Sequence, residues 1–146
     1  MSRSRQFVTF LLRGQLFGLD IDEVQEVLRV QESTPVPLAP DFVVGLMNLR
    51  GMIVAVVDLR RRLSLGGSAA GAGEAMNVVV KTQAGLTSVL VDAIAEVVEA
   101  GEGDFEPVPS SVDERVRRFM KGVYRLEGGL LHVLDAEKAA SSDEAS

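Results

Sequence analysis

Residues Asn48 to Arg60, Asn-Leu-Arg-Gly-Met-Ile-Val-Ala-Val-Val-Asp-Leu-Arg, constrain the fold more than any other stretch of the chain. Met52 to Val57 is an unbroken apolar run in which Ile53, Val54, Val56 and Val57 are branched at Cβ. Branching there restricts χ1 and favours a pleated strand over a helix. An apolar strand without alternation is covered on both faces, so this one belongs at the centre of the molecule. Gly51 opens the strand and, lacking Cβ, turns the chain without a clash. Directly before it stands Arg50. A guanidinium at the mouth of an apolar strand has to reach water or a carboxylate, which makes Arg50 the first candidate site residue.

The flanking segments supply partners for such a strand. Phe7 to Leu12 reads as a strand, Arg13-Gly14-Gln15 as a turn, and Leu16 to Leu19 as the returning strand. Asp20 with Glu23 has the form of a capping box, and Ile21, Val24, Val27 and Leu28 recur at helical spacing. A helix of about two turns is therefore expected there. Pro35, Pro37 and Pro40 stiffen an extended passage before Phe42 to Leu49, a turn and strand that enter the central motif. Asp58 to Leu63 reads as a helical turn. Gly66 to Gly73 is a flexible loop by composition and the expected seam between two halves.

Beyond the seam, Asn77 to Lys81 and Thr87 to Val91 are strands, with Ile94, Val97 and Val98 in a third segment. Glu102 to Ser111 is acidic and Pro-containing, hence a loop, and Ser111 to Arg118 holds a helical turn. Phe119 to Leu126 and Leu130 to Leu134 form a hairpin around Gly128-Gly129. Asp135 caps a last short helix, and the small polar residues from Ser141 on are expected to be disordered. Nine or ten short strands with two or three short helices point to a mostly β barrel or sandwich architecture.

Several function classes are disfavoured at this level. The 146 residues contain no Cys and one His, so disulfides, thiolate sites and the usual metal clusters have no ligands, and neither metal nor cofactor is expected. His132 lies inside Leu130 to Leu134 and reads as an interior or edge histidine with one hydrogen bond. Asp20, Asp22, Glu23 and Glu26 lack the alternation and the Gly of a calcium loop. The Gly spacings near the seam lack the strand-to-helix context of a phosphate loop, and no nucleophile elbow is present, so no enzymatic activity is expected. A formal net charge of −6 argues against nucleic acid, as does the lack of stacking aromatics beside Arg60-Arg61-Arg62 and Arg115 to Lys121. These basic clusters read as solvated charge, with an acidic protein patch as the alternative partner. No apolar run approaches the ~20 residues of a membrane span, and Met1 to Gln6 has no signal-peptide character. Glu26 is the carboxylate expected to meet Arg50, buried or exposed.

Val24-Gln25-Glu26-Val27, Phe42-Val43-Val44-Gly45-Leu46-Met47-Asn48-Leu49-Arg50-Gly51 and Ile53 to Arg60 together resemble the bacterial chemotaxis coupling protein family, CheW. Val89 to Val97, Lys121-Gly122-Val123 and Leu131 to Asp135 extend the resemblance over roughly Phe7 to Ala140. Ala93 departs from the Gly frequent at that position in the family. The resemblance implies two packed five-stranded SH3-like β-barrels, the first over about 6–65, a seam loop over 66–75, the second over 76–138 and a disordered tail from 139 to 146. It implies a cytoplasmic, non-enzymatic adaptor that joins the tip of a chemoreceptor to the histidine kinase CheA in membrane-associated arrays, with CheW–CheW contacts as a further expectation. Receptor contact would use an apolar groove between the barrels that includes Val24, Ile94 and Val97, with Glu26 and Arg50 paired at its edge. Gly45 would lie on the kinase side. A relative serving surface motility or gene regulation would look alike in sequence. A ligand-binding barrel would need an aromatic-lined pocket, and the chain is aromatic-poor.

Overall fold

A computed structural model describes residues 4–143, and the expectations for the first three residues and for 144–146 fall outside it. Eleven strands are present: β1 (Ser4–Leu12), β2 (Gln15–Asp20), β3 (Val24–Arg29), β4 (Val43–Leu49), β5 (Met52–Asp58), β6 (Met76–Thr82), β7 (Gly85–Val91), β8 (Ala93–Gly101), β9 (Phe105–Glu106), β10 (Met120–Leu126) and β11 (Gly129–Leu134). Three one-turn helices complete the order: α1 (Leu59–Arg62), α2 (Glu114–Arg117) and α3 (Ala136–Ala139). The strands form two mixed sheets, one six-stranded in the order β8-β1-β2-β11-β10-β9 and one five-stranded in the order β3-β6-β7-β5-β4. The mostly β class is as expected, although one sheet carries six strands because Phe105–Glu106, read as loop, adds a short edge to β10.

Each sheet has its two edges brought together. In the five-stranded sheet, Thr34 and Leu46 exchange backbone hydrogen bonds of 2.8 and 2.9 Å, so the chain leaving edge strand β3 seals the opposite edge β4. In the six-stranded sheet, a 3-10 turn at Glu102–Asp104 carries edge strand β8 directly into the other edge, β9. Closure of this kind removes open ladders that would otherwise pair with other chains.

Division of the chain at the Gly-rich loop does not match the division between the sheets. β1 and β2 join β8 to β11, whereas β3 to β5 join β6 and β7. Two short parallel pairings, β5 with β7 and β11 with β2, tie early and late segments together. The loop itself is anchored: Ala69 is fully buried, and Asp58 accepts hydrogen bonds from the Ser68 hydroxyl and the Ala69 amide. The same carboxylate caps α1 by accepting from Arg60 N at 3.0 Å.

Burial falls into three clusters. The largest lies between the sheets and draws on Phe10, Leu12, Phe17 and Leu19 from one and Val57, Val78, Val80, Val89 and Val91 from the other. A second, with Met47, Leu49, Val54, Val56, Val79 and Leu90, belongs to the five-stranded sheet, and a third, with Phe7, Tyr124, Leu131 and Val133, to the six-stranded one. The central strand is thus covered on both faces as its sequence requires: Val54 and Val56 face one cluster and Val57 the other. Ala139 and Ala140, expected in a disordered tail, are buried in the inter-sheet core. Arg62 holds that end in place by donating to the carbonyls of Lys138 and Asp143.

Candidate functional site

The segment after Asp20 departs most from expectation. It makes only a 3-10 turn, Ile21–Glu23, capped by the Asp20 carboxylate accepting from Asp22 N, and then becomes strand β3. The i, i+3 recurrence of Val24 and Val27 arises from a β-bulge. Val24 pairs with Val80 and Val27 with Val78, with a register shift between Val24 and Glu26. A regular strand would place residues three apart on opposite faces; the extra residue restores them to one. Val80 and Val78 belong to the inter-sheet core, so Val24 and Val27 share that face, Val24 half-buried and Val27 37% exposed.

β8 repeats the device. Ile94 pairs with Phe10 and Val97 with Val8, with a shift between Val8 and Phe10. The Thr9 hydroxyl donates to the Glu96 carbonyl within the bulge. Ile94 and Val97 therefore share the face of Phe10. Ile94 is half-buried against the inter-sheet core and Val97 stands 55% exposed. Two strand edges, β3 from one sheet and β8 from the other, each carry one apolar residue anchored on the common core and one reaching solvent. Val27 was noted in the sequence only as part of a helix face. Its strand setting, and with it its place beside Val24, depends on the pairing with β6.

Arg50 meets Glu26 as expected, although their strands are at opposite edges of the five-stranded sheet. The pair spans the closure. Arg50 and Gly51 form the two-residue tip of the β4–β5 hairpin, with φ of 50° and 88°, and Asn48 Oδ1 accepts from Gly51 N at 2.8 Å. Positive φ at both central positions matches the twist of a two-residue hairpin, which explains Asn-Leu-Arg-Gly as a turn motif. The guanidinium is 67% exposed and Glu26 26%, so the pair is an open one worth about 0–1 kcal/mol rather than a buried clamp. Because of the bulge, Glu26 pairs with Val79 and points to the face opposite Val24.

Gly45 is buried, and a Cβ there would lie 2.5 Å from the Thr34 carbonyl oxygen. It permits the Thr34 closure and cannot itself be a contact residue of size. The exposed apolar groups beside it are Leu46 and Ile53, which share the outward face of β4 and β5 through the pairs Leu46–Ala55 and Asn48–Ile53. Within the basic run Arg60-Arg61-Arg62, only Arg61 is exposed, as solvated charge was expected to be, while its two neighbours are engaged within the fold. Arg60 is bidentate to Asp92 at 2.6–2.9 Å, Arg61 donates to the Asp41 carbonyl, and Arg62 is buried between the rings of Phe42 and Phe119.

A family model for the CheW-like domain matches residues 6–144. The chain belongs to the CheW-like family. It is 32% identical over 142 residues to chemotaxis protein CheW of Treponema pallidum (strain Nichols), covering 95% of this chain and 84% of that one. Protein FrzA of Myxococcus xanthus is 29% identical, over 85% of this chain and 76% of its own. Among solved structures, the scaffolding protein TtCheW from Thermoanaerobacter tengcongensis superposes with a TM-score of 0.85 at 29% identity, covering 94% of this chain and 92% of that one. CheW-like proteins are non-catalytic scaffolds and adaptors, and this chain is a chemotaxis adaptor of that type.

Other polar groups of the CheW-like chain play structural parts. His132 Nδ1 donates to the Leu16 carbonyl at 2.7 Å while its ring lies against Phe17; of the interior or edge histidine expected from sequence, the structure has the interior one, on β11 between β2 and β10. No group of three or more His, Asp or Glu among the described residues is arranged to hold a metal, and no helix is long and apolar enough to cross a membrane. Glu23, at the turn between the sheets, is unusual. Burial raises its carboxyl above the ordinary 4.5, Lys121 opposes this, and Asp20, Asp135 and Glu137 add to it. Its Oε1 is buried and accepts no hydrogen bond from the described residues. A raised folded value means that the folded state holds the proton more tightly, so stability contributed by this group rises as pH falls through it. Glu23→Gln is expected to melt higher than the parent at pH 7, with the difference shrinking as pH falls through the raised folded value and largely gone once it reaches 4.5. Melting curves of both proteins across pH 4 to 8 check this, and an unchanged difference would remove Glu23 as the cause.

Proposed function

We propose that this protein is a cytoplasmic adaptor that couples the cytoplasmic tip of a chemoreceptor to the histidine kinase CheA. The observation that carries the reading is the two bulged edges, which set Val24 and Val27 on β3 and Ile94 and Val97 on β8 against one common core. A receptor tip is a helical hairpin, and an amphipathic helix docks by apolar anchors at helical spacing. Val24 and Ile94 would form the floor of such a groove and Val27 and Val97 its rims. Glu26, on the other face of β3, and Arg50 would act as a charged marker at the edge of that strand rather than within the groove, restricting which helices fit.

The kinase is assigned to the outward face of β4 and β5. Leu46 is 39% and Ile53 68% exposed there, and Gly45 supports them from beneath. With the receptor at β3 and β8, the kinase at β4 and β5, and contacts between copies as a third, individually weak interactions add through effective concentration in an array. No chemistry is required of the adaptor.

Co-sedimentation with receptor-containing membranes, with and without CheA, tests this directly. The chain is expected in the pellet with receptors alone and in larger amount when CheA is added; no enrichment over receptor-free membranes would defeat the reading. Arg50→Glu, which sets two carboxylates together in place of an exposed pair, is expected to weaken pelleting about tenfold with little change in melting. A second reading, an adaptor of a different receptor-linked system such as surface motility, is favoured by the similarity to FrzA. Preferential pelleting with receptors of that system would select it.

A further inference from the structure

The chain crosses from one sheet to the other at each end of the groove between β3 and β8. Ile21–Glu23 carries β2 into β3, and Asp92 carries β7 into β8. Ile21 and Asp22 line one polar recess together with Glu99, so the start of β3 lies beside the end of β8. At the opposite end Arg29 pairs with Met76 and Met76 with Val91, three residues before Ile94. The two walls therefore run antiparallel, with Val24 toward Val97 and Val27 toward Ile94.

Each wall carries one charge on the groove side. After its bulge β3 alternates from Val27 to Arg29, while Leu28 turns to the core of the five-stranded sheet. β8 alternates from Val97 to Glu99, while Val98 and Ala100 turn to the core of the six-stranded sheet. Arg29 and Glu99 thus stand just past the last apolar residue of their walls. Both are exposed, and neither enters an ion pair among the described residues. Their surroundings keep the two ends unlike. The recess at Glu99, about 630 Å³, is lined by four carboxylates, Asp20, Asp22, Glu99 and Glu102, against a single cation, Arg5, which Asp20 already holds. At the Arg29 end the carboxylate of the crossing, Asp92, is taken up by the Arg60 guanidinium and the Arg13 amide.

We propose that this groove is polarised, and that Glu99 and Arg29 fix the direction in which a helix lies in it. The helix it takes carries a lysine or arginine over Glu99, a carboxylate over Arg29, and apolar anchors between them on the same face. The reverse direction sets like charges together at both ends, which costs affinity even where the apolar contacts are unchanged. Allowing for the bulges, Ile94 to Glu99 and Val24 to Arg29 each span about 13 Å, which puts the two charges about 13–20 Å apart. Three turns of helix cover about 16 Å, so the complementary charges on the partner fall about eleven residues apart. This inference rests on the groove being a helix dock and adds to it the direction and charge pattern of the helix.

A stapled helix of eighteen residues tests this with the full chain. It has lysine at its third position, leucines at the seventh and tenth, and glutamate at the fourteenth; a second helix has glutamine at both charged positions. The charged helix is expected to bind about three- to tenfold more tightly, since each exposed pair adds only a little. A nitroxide beside its lysine is expected to broaden the amide signals of Ala100 and Gly101, and one beside its glutamate those of Leu28 and Val30. Arg29→Glu should weaken the charged helix about tenfold and the glutamine helix less than twofold, with unchanged melting. Arg29→Glu together with Glu99→Arg should restore affinity and exchange the two broadening patterns. Equal binding of the two helices, or broadening at both ends from one nitroxide position, would overturn the polarity and leave the groove standing. Absence of binding by both helices, or binding that Val27→Glu with Val97→Glu leaves intact, would overturn the groove and the polarity together.

Discussion

Val27→Glu combined with Val97→Glu is expected to abolish capture of a receptor-tip fragment while leaving the fold intact. The two side chains are 37% and 55% exposed, so replacing them costs little in the free protein, where surface changes usually stay within about 0.5 kcal/mol. A docked helix would strip water from both new carboxylates with no cation in the apolar groove to receive them. Burial of an uncompensated charge costs several kcal/mol, so a loss of at least about a hundredfold is expected. Pull-down together with a thermal melt measures both quantities. Ile53→Glu is the control: it lies on the outward face of β4 and β5 and should spare receptor capture while reducing binding of the CheA regulatory domain. Full receptor binding by the double variant would show that the two bulged edges are not the groove. Val24→Glu is a poorer test, because Val24 packs on the inter-sheet core and its loss would mix binding with stability.

Asp58→Ala is expected to lower stability by about 3 kcal/mol, roughly 6–12 °C in melting temperature. This carboxylate is 1% exposed and accepts from the Ser68 hydroxyl and from the amides of Ala69, Arg60 and Arg61. Alanine would leave the buried Ala69 amide without an acceptor, at about 1–3 kcal/mol, and uncap α1, at about 1 kcal/mol. Ser68→Ala, which leaves the amides of Arg60, Arg61 and Ala69 paired with Asp58, should cost about 1 kcal/mol. Equal and small losses in the two variants would mean that the Gly-rich loop is not fastened through Asp58. The result matters for function because α1, the loop and β5 meet at this residue, and β5 carries Ile53.

Much of the candidate site could be read from local chemistry. Asn48, Arg50 and Gly51 form a turn that their side chains and φ preferences select, and the apolar run after them sits at the heart of a sheet because nothing else could cover it. Asp20, Asp58 and Asp135 each cap the turn that follows, as short carboxylates do beside free amides. Pairing of Glu26 with Arg50 followed from the cost of an isolated charge. What the chain could not announce was the meaning of valines three apart. The spacing that marks a helix face also arises in a strand with one extra residue, and the two differ only in whether a neighbouring strand is present to pair.

Local sequence therefore determined the mostly β character, the hairpin tips, the helix caps, the central strand and the ion pair, since each depends on dihedral preference or on solvation of a single group. Tertiary structure alone decided that 24–29 is a strand, that β1 and β2 join β8 to β11, that Ile94 and Val97 share a face, and that Arg60 and Arg62 are structural rather than free for a partner. Those outcomes hang on hydrogen bonds and packing between residues distant in the chain, and no window of neighbouring residues contains the energy of such contacts.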